Sequence, residues 1–328
     1  MLPIAVDVMG GDRGPAEIVA GARQAASELG IPVLLVGRAD AMGDAGGLEV
    51  VEAGEVIGMD EDAAGGVRRK KDASVVRAAE AVRDGRASAM VSAGNTGAAM
   101  GAALLRMGRL PGVSRPAIAT PLPVPGSTPT VLLDAGANAE CQPGWLVQFA
   151  QMGAAYAAGR YGIESPRVGL LSIGEEETKG TTAVKEAHAA LKAPECWSGS
   201  GGRFIGNVEG RDLLTDRVDV VVTDGFTGNV VLKALEGAMR FMRYAVFGVM
   251  TSTPEAIAAS EVLLPLLMPL ATEMDPDSYG GALLLGVDGV CIISHGSSSA
   301  GAVFNALGVA RDMVEGGLVD RLRQSVKA

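Results

Sequence analysis

The sequence predicts an α/β protein whose mostly parallel sheet carries helices on both faces. Apolar, β-branched runs alternate with helix-like stretches along most of the chain. Five of those runs end in a small, polar or Gly-rich turn that passes straight into a helix. The turns are Ser92–Gly97, Asp134–Asn138, Gly174–Gly180, Asp224–Asn229 and His295–Ser299. Hydrophobic residues make up 48% and aromatics only 4%, so Ala, Val, Leu and Gly fill the core. That composition suits close helix–sheet packing. In an open parallel sheet such turns gather at the carboxyl ends of the strands, where ligands bind. Each turn also opens a helix, whose free N–H groups form an anion site.

Ile4–Val8 reads as the first strand. Pro15 then starts a helix with a stripe of Ile18, Ala22, Ala25 and Leu29. Pro32–Val36 is the next buried strand, and 38–66 holds only short strands or loops. A helix capped by Asp72 runs to Arg83, followed by strand Ala87–Ser92 and helix Thr96–Met107. The Pro-rich stretch 111–129 favours extended edges and turns. Strand Thr130–Asp134, helix Pro143–Tyr161, strand Arg167–Ile173 and helix Thr181–Leu191 alternate regularly. Phe204–Gly206 and Val218–Thr223 are strands, and a long helix spans Asn229–Val249. Pro254–Glu273 reads as two short helices broken by prolines. Ala282–Val287 and Gly289–Ser294 form a closing hairpin, with a last helix near Ser299.

No low-complexity linker divides the 328 residues, so one unit over 1–328 is expected, with a helical hairpin inserted near 250–275. Acidic residues outnumber basic ones, 38 to 28, for a formal charge of −10, which argues against a nucleic-acid partner. Cys141, Cys196 and Cys291 show no CxxC spacing and read as reduced thiols. With only His188 and His295 available, a histidine metal site is not expected. The first residues enter a strand directly without a signal-peptide layout, so a soluble, cytoplasmic protein is expected.

Ser198–Gly202 does not follow a strand and lacks the acidic residue of a dinucleotide fingerprint, and Walker A, GxSxG and HExxH are absent. The five turns remain. Their Ser, Thr and Asn side chains either cap helices or donate to an oxyanion. Lys179 and the run Arg68-Arg69-Lys70-Lys71 lie just before predicted helices, where the dipole disfavours cations, so each suggests a nearby anion. His295 ends an apolar strand and should point into the ligand cleft, whereas His188 lies mid-helix. Val262–Leu270 holds too many large apolar residues to bury on one element.

These strings resemble the bacterial phosphate acyltransferases, the acyl-ACP:phosphate acyltransferase (PlsX) family of phospholipid synthesis. The matching segments are Ala5–Asp12, Val91–Ala98, Leu133–Asn138, Ser172–Glu176 with Lys179-Gly180, Asn207–Gly210, Thr223–Asn229 and His295–Ser298. Arg13 departs from the family, which usually shows His there. The resemblance implies a Rossmann-like three-layer α/β/α fold of the isopropylmalate dehydrogenase type, a homodimer, and no cofactor or metal. It also implies reversible acyl transfer from acyl carrier protein to inorganic phosphate and peripheral membrane association, with a membrane glycerol-3-phosphate acyltransferase downstream. Other readings are a phosphate acetyltransferase acting on acyl-CoA, a dehydrogenase, and a non-catalytic lipid- or carrier-binding module. Catalytic candidates are Lys179, Asn229 and His295. Phosphate or substrate candidates are Asp7, Gly11, Asp12, Ser92, Gly94, Asn95, Thr96, Gly97, Asp134, Asn138, Asp224, Thr227, Gly228 and Ser297. Arg68, Arg69, Lys70 and Lys71 are the carrier-docking candidates.

Overall fold

A computed structural model describes residues 1–326. The chain opens with β1 (Ile4–Asp7), α1 (Ala16–Leu29), β2 (Val33–Gly37), α2 (Ala39–Met42) and β3 (Glu49–Glu52). Next come α3 (Ala63–Arg69), α4 (Ser74–Arg83), β4 (Ala89–Ser92) and α5 (Thr96–Ala102), which continues as a π-type turn to Met107. The middle holds β5 (Ala117–Leu122), β6 (Thr130–Leu133), α6 (Pro143–Tyr161), β7 (Arg167–Leu171), α7 (Thr182–Leu191), β8 (Arg203–Val208) and β9 (Val220–Val222). The last elements are α8 (Gly225–Met250), α9 (Pro254–Glu273), β10 (Ala282–Leu285), β11 (Val290–Ile293), α10 (Ala300–Glu315) and α11 (Leu318–Ser325).

All eleven strands form one sheet in the order β3-β2-β1-β4-β11-β10-β5-β6-β9-β7-β8. The strands β3, β2, β1, β4 and β11 run parallel, as do β6, β9, β7 and β8. Between the blocks, β10 is antiparallel to both β11 and β5, and β5 is antiparallel to β6. The two parallel blocks therefore point in opposite directions. This corrects the expectation that all five turns share one carboxyl edge. The turns at 92–97 and 295–299 lie at one edge; those at 134–138, 174–180 and 224–229 lie at the other.

Side-chain alternation along the strands sends Ile4, Val6, Leu133 and Val168 to one face, under α1, α6, α10 and α11. The opposite set, including Ala5, Leu34, Met90, Ile118 and Cys291, packs with α3, α4, α5 and Leu232 of α8. α6 has small or apolar residues on nearly every side and runs through the core, with Phe149 and Tyr156 fully buried.

Four further expectations change. α3 was not anticipated, because it has only seven residues and Gly65-Gly66 within it. It places Arg68 and Arg69 in its last turn and Lys70 at its C-cap, the end where the dipole favours cations. Lys70 also donates to Glu61 and to the Val56 carbonyl at 2.7 Å. The run thus needs no anion to explain it. The Pro-rich stretch yields β5 inside the sheet rather than at an edge. Pro121 lies past the last β10 partner of that strand, so its missing N–H breaks no pairing there.

The 224–229 turn is itself the first turn of α8, and the segment 254–273 is one helix containing Pro265 and Pro269. At 20 residues α9 is about 30 Å long, enough by length and composition to cross a bilayer. Its residues Val262, Leu263, Leu266, Leu267, Met268 and Leu270 are all exposed, at 38–73%.

Candidate active site

A groove of about 290 Å³ crosses the sheet face between α8 and the central strands. One end is formed by Met59, Gly94, Thr96, His295 and Gly296, from the first block's turns. Ala135 and Asn229 come from the second block, and Ile118, Thr120, Pro121 and Leu122 of β5 form the floor. The groove therefore joins turns from opposite edges of the sheet. A wider opening of about 600 Å³ lies between Leu104, Arg109, Ser114, Arg115 and Trp145, where Arg115 stacks 4.9 Å from the indole. None of the five turns lines it, so its size does not make it the reaction site.

α8 forms the roof. Asn229, Lys233 and Glu236 follow one another at i, i+4 and i+7, one helical face, with Leu232, Leu235 and Met239 beside them. The Lys233 ammonium donates to Glu236 at 2.9 and 3.2 Å, and His295 Nε2 lies 3.6 Å from the same carboxylate. Neither Lys233 nor Glu236 carries a local motif. The polar stripe starting at Asn229 was the signal available for them. Leu214, Leu235, Met239, Pro123 and Tyr279 make the rest of the lining apolar.

The first block's turns approach the groove through glycine backbones. A Cβ on Gly10 would lie 2.6 Å from the Gly94 nitrogen, and the Asp12 N–H donates to the Gly296 carbonyl at 2.7 Å. Gly11, at φ +87°, makes the turn between them. Ser92 donates to the buried Asp7 carboxylate at 2.7 Å and accepts from the Gly94 N–H. Burial pushes the Asp7 carboxyl up, against the opposing pull of the Ser74 and Ser92 hydroxyls. Asn95 caps α5 through the Ala98 N–H and ties down the Met59 carbonyl at 2.9 Å. Gly97 packs against Ala63, while Asp12 and Ser297 are exposed.

The second block spends its polar groups on itself. The Asp134 carboxylate accepts from the N–H groups of Ile118, Gly136, Ala137 and Asn138 and from Asn138 Nδ2. Asn138 also donates to the Pro116 carbonyl at 2.8 Å. Asp224 caps α8 through the Thr227 N–H and hydroxyl, and Asn229 donates to the Ala135 carbonyl. Gly228 admits no side chain, since its Cβ would fall 1.9 Å from the Asp134 carbonyl oxygen. Thr181 and Ser299 likewise cap their helices, so capping occupies these residues.

Lys179 is exposed in the 174–180 turn, and no residue of that turn lines the groove. Its neighbours are engaged elsewhere: Glu175 pairs with Arg217 at 2.7 Å and Glu177 with Lys192. Arg68, Arg69 and Lys71 are exposed, the first two in the last turn of α3 and Lys71 just beyond it, and none of them lines the groove. His188 is buried edge-on to Phe204, 4.9 Å between ring centres. The thiols are poor nucleophiles: burial, then the Asp134 charge, pushes Cys141 up to about 12, and burial alone does the same to Cys291. No cluster of His, Cys, Asp and Glu able to hold a metal occurs among the described residues.

The family model described as "Fatty acid synthesis protein" matches residues 2–321. The phosphate acyltransferase of Elusimicrobium minutum is 49% identical, over 98% of this chain and 95% of that protein. The one from Heliobacterium modesticaldum is 47% identical, over 98% and 97%. Among solved structures, the EutD phosphotransacetylase of Staphylococcus aureus has a TM-score of 0.62 at 16% identity, covering 95% of this chain and 94% of that one. A 4-hydroxythreonine-4-phosphate dehydrogenase from Klebsiella pneumoniae gives 0.53 at 13% identity, covering 96% and 100%. At these identities the solved structures show the shared fold alone. The full-length relatives and the family model show more: this chain is a member of the phosphate acyltransferase family and an acyltransferase.

Proposed function

We propose that the enzyme transfers a fatty acyl group from acyl carrier protein to inorganic phosphate in the groove beneath α8. The observation that carries this reading is the groove's mixed lining. Lys233, Glu236, His295 and Thr96 offer charge and hydrogen bonds, and Leu235, Met239, Pro123 and Tyr279 offer apolar surface in the same groove. An acyl thioester with a phosphate beside it needs both.

A phosphate oxygen forms the new C–O bond to the thioester carbon while the carbonyl electron pair moves onto its oxygen. Collapse of that tetrahedral species breaks the C–S bond and expels the carrier's thiolate, which takes a proton from solvent. Near neutral pH a substantial share of inorganic phosphate is the dianion, and a thiol of pKa about 8.5 leaves without strong acid help. The protein's task is then alignment and charge stabilisation. Lys233 is the groove's cation, with Glu236 holding it in place and His295 beside that carboxylate. Phosphate-dependent consumption of acyl-ACP, with acyl phosphate trapped as hydroxamate, tests the reading. Equal or faster turnover of acyl-CoA would move the enzyme to the acetyltransferase-like alternative.

The exposed apolar residues of α8 and α9 give this enzyme a second surface. Phe241, Tyr244 and Val249 are 66–70% exposed, and Val262 and Leu266 are 72–73% exposed. In this reading the helical pair seats reversibly on a bilayer, which would deliver the amphipathic product to a membrane glycerol-3-phosphate acyltransferase. A Leu266→Glu, Leu267→Glu variant should keep activity on dispersed substrate and lose co-sedimentation with liposomes. Undiminished liposome binding would remove the membrane role, and a monomeric variant would give the segment to the dimer. Arg68, Arg69 and Lys71 remain the candidates for docking the acidic carrier protein through charge.

A further inference from the structure

The groove's own charges cancel before any anion arrives. Among the described residues that line it, Lys233 is the sole lysine or arginine and Glu236 the sole carboxylate, and the two are already paired at 2.9 and 3.2 Å. The whole chain has a formal charge of −10. Phosphate therefore meets a cation whose charge is spent on a neighbour. If Lys233 turned to the anion, Glu236 would be left behind. Its side chain is 19% exposed against 52% for Lys233, and a covered carboxylate without its cation is costly to keep charged.

One group is placed to take the lysine's position. His295 Nε2 lies 3.6 Å from Glu236 Oε1, the oxygen that accepts from Lys233 at 3.2 Å. The imidazole stands just outside hydrogen-bond reach of an acceptor that another donor holds. The backbone on either side of it is fixed. The Ser294 N–H donates to the Ser92 carbonyl at 2.9 Å, and the Gly296 carbonyl accepts from the Asp12 N–H at 2.7 Å. The ring itself is 44% exposed, open to protons from solvent. Histidine is also the side chain whose ordinary titration falls in the neutral range. The other charged or titratable groups around this segment are Asp12, beside Gly296, and Asp277, which accepts from Ser299. Beyond them lie Glu61, bound by Lys70, Arg240, one turn past Glu236 on α8, and Tyr279, whose phenol burial pushes up.

We propose that phosphate enters the groove together with a proton: His295 is protonated and takes Glu236 as its counter-ion, which frees the Lys233 ammonium for the anion. The proposal rests on the acyl-transfer reading above and deepens it, since Glu236 becomes a positioning residue that exchanges one cation for another. The proton comes from solvent, and the groove's side chains pass from no net charge to a single positive one. The lysine's flexible four-carbon stem lets its ammonium move while its backbone stays in α8.

Sulfate is the probe, because it stays a dianion across the neutral range and brings no titration of its own. Its affinity for the full chain is measured by calorimetry at constant ionic strength between about pH 5.5 and 8.5. The wild-type Kd should rise with pH, by up to about tenfold per unit on the alkaline side, the slope for uptake of one proton. His295→Gln should bind sulfate with one weak affinity at every pH. Glu236→Gln leaves Lys233 unpaired, so it should bind more tightly than the wild type at alkaline pH and with a flatter slope. A histidine with a merely structural part would move neither slope. Lys233→Ala should lose the site. A flat wild-type curve, a slope that survives in His295→Gln, binding that survives in Lys233→Ala, or no sulfate binding at any pH would each overturn the proposal. Turnover is scored apart from this. A chain that binds sulfate with the proton yet cannot consume acyl-ACP keeps the linked site and defeats the acyl-transfer reading. Phosphate-dependent turnover with a flat sulfate curve does the reverse.

Discussion

Two aspartates at the carboxyl ends of strands, one in each parallel block, are equally buried and oppositely treated. Asp134, following β6, is 0% exposed and its carboxylate meets five N–H donors. Asp7, ending β1, is 2% exposed; one oxygen accepts from Ser92, and Oδ1 has no side-chain or backbone partner at hydrogen-bond distance. The difference extends to the blocks they belong to. The second block's turns use their side chains to tie 116–118, 134–138 and 224–229 into one knot. The first block's turns meet through bare glycine backbones and leave His295 and Thr96 facing the groove. A Gly-rich turn at a strand end is therefore not a site by itself. What distinguishes a site from a brace is whether its polar groups are already spent.

The largest effect should come from Asp134→Asn. The amide keeps one oxygen for Ile118, Gly136 and Ala137, but its NH₂ then confronts the Asn138 N–H and Nδ2. Two donors lose their acceptor, at about 1–3 kcal/mol each, so denaturant unfolding should show a loss of about 2–6 kcal/mol. A variant as stable as the wild type would mean that this knot contributes nothing to the second block's stability.

The two lysines separate the blocks kinetically. Lys233→Ala should lower turnover by about 10²–10³, the cost of removing a transition-state charge donor, with the circular dichroism spectrum unchanged. Lys179→Ala, outside the groove, should lose less than about tenfold. An equally large loss for Lys179→Ala would show that the groove of one chain is incomplete, and that the 174–180 turn of a second copy reaches into it. Wild-type turnover in Lys233→Ala would remove α8 from the chemistry.

Much of this architecture could be read from local pattern. The bounds of α6, Pro143–Tyr161, follow from Pro at its first position and Gly162 after its end. The β10–β11 hairpin and the placement of His295 follow from an apolar run ending in His-Gly-Ser. The reversal of the second block does not. It depends on β5 and β10 pairing across more than 160 residues, and the prolines in β5 argue locally against an interior strand. The groove's charged pair was also hidden, since Lys233 and Glu236 lie inside α8 and carry no local motif. Lys179 and the 68–71 run stood out by charge. One is a surface residue of the second block, and the other ends a short helix whose glycines masked it.

The smallest effect, and the most direct test of the Asp7–Asp134 contrast, is the pH dependence of Asp7→Asn. Burial is the main cause raising the Asp7 carboxyl above its ordinary value of 3.8, and the Ser74 and Ser92 hydroxyls only partly offset it. The unfolded chain therefore ionises Asp7 at lower pH than the folded chain does. Stability from this group is fully present below about pH 3.8 and is lost as pH rises through the higher folded value. Asn stays neutral throughout and can still accept from Ser92 through its remaining oxygen. The variant should thus match the wild type near pH 4 and become progressively more stable relative to it toward neutrality, with the 92–97 turn preserved. Melting both proteins at intervals from pH 4 to 7.5 gives the difference curve. A flat curve would show that the Asp7 carboxylate is as well accommodated as that of Asp134, and the contrast between the blocks would fail at its most buried point.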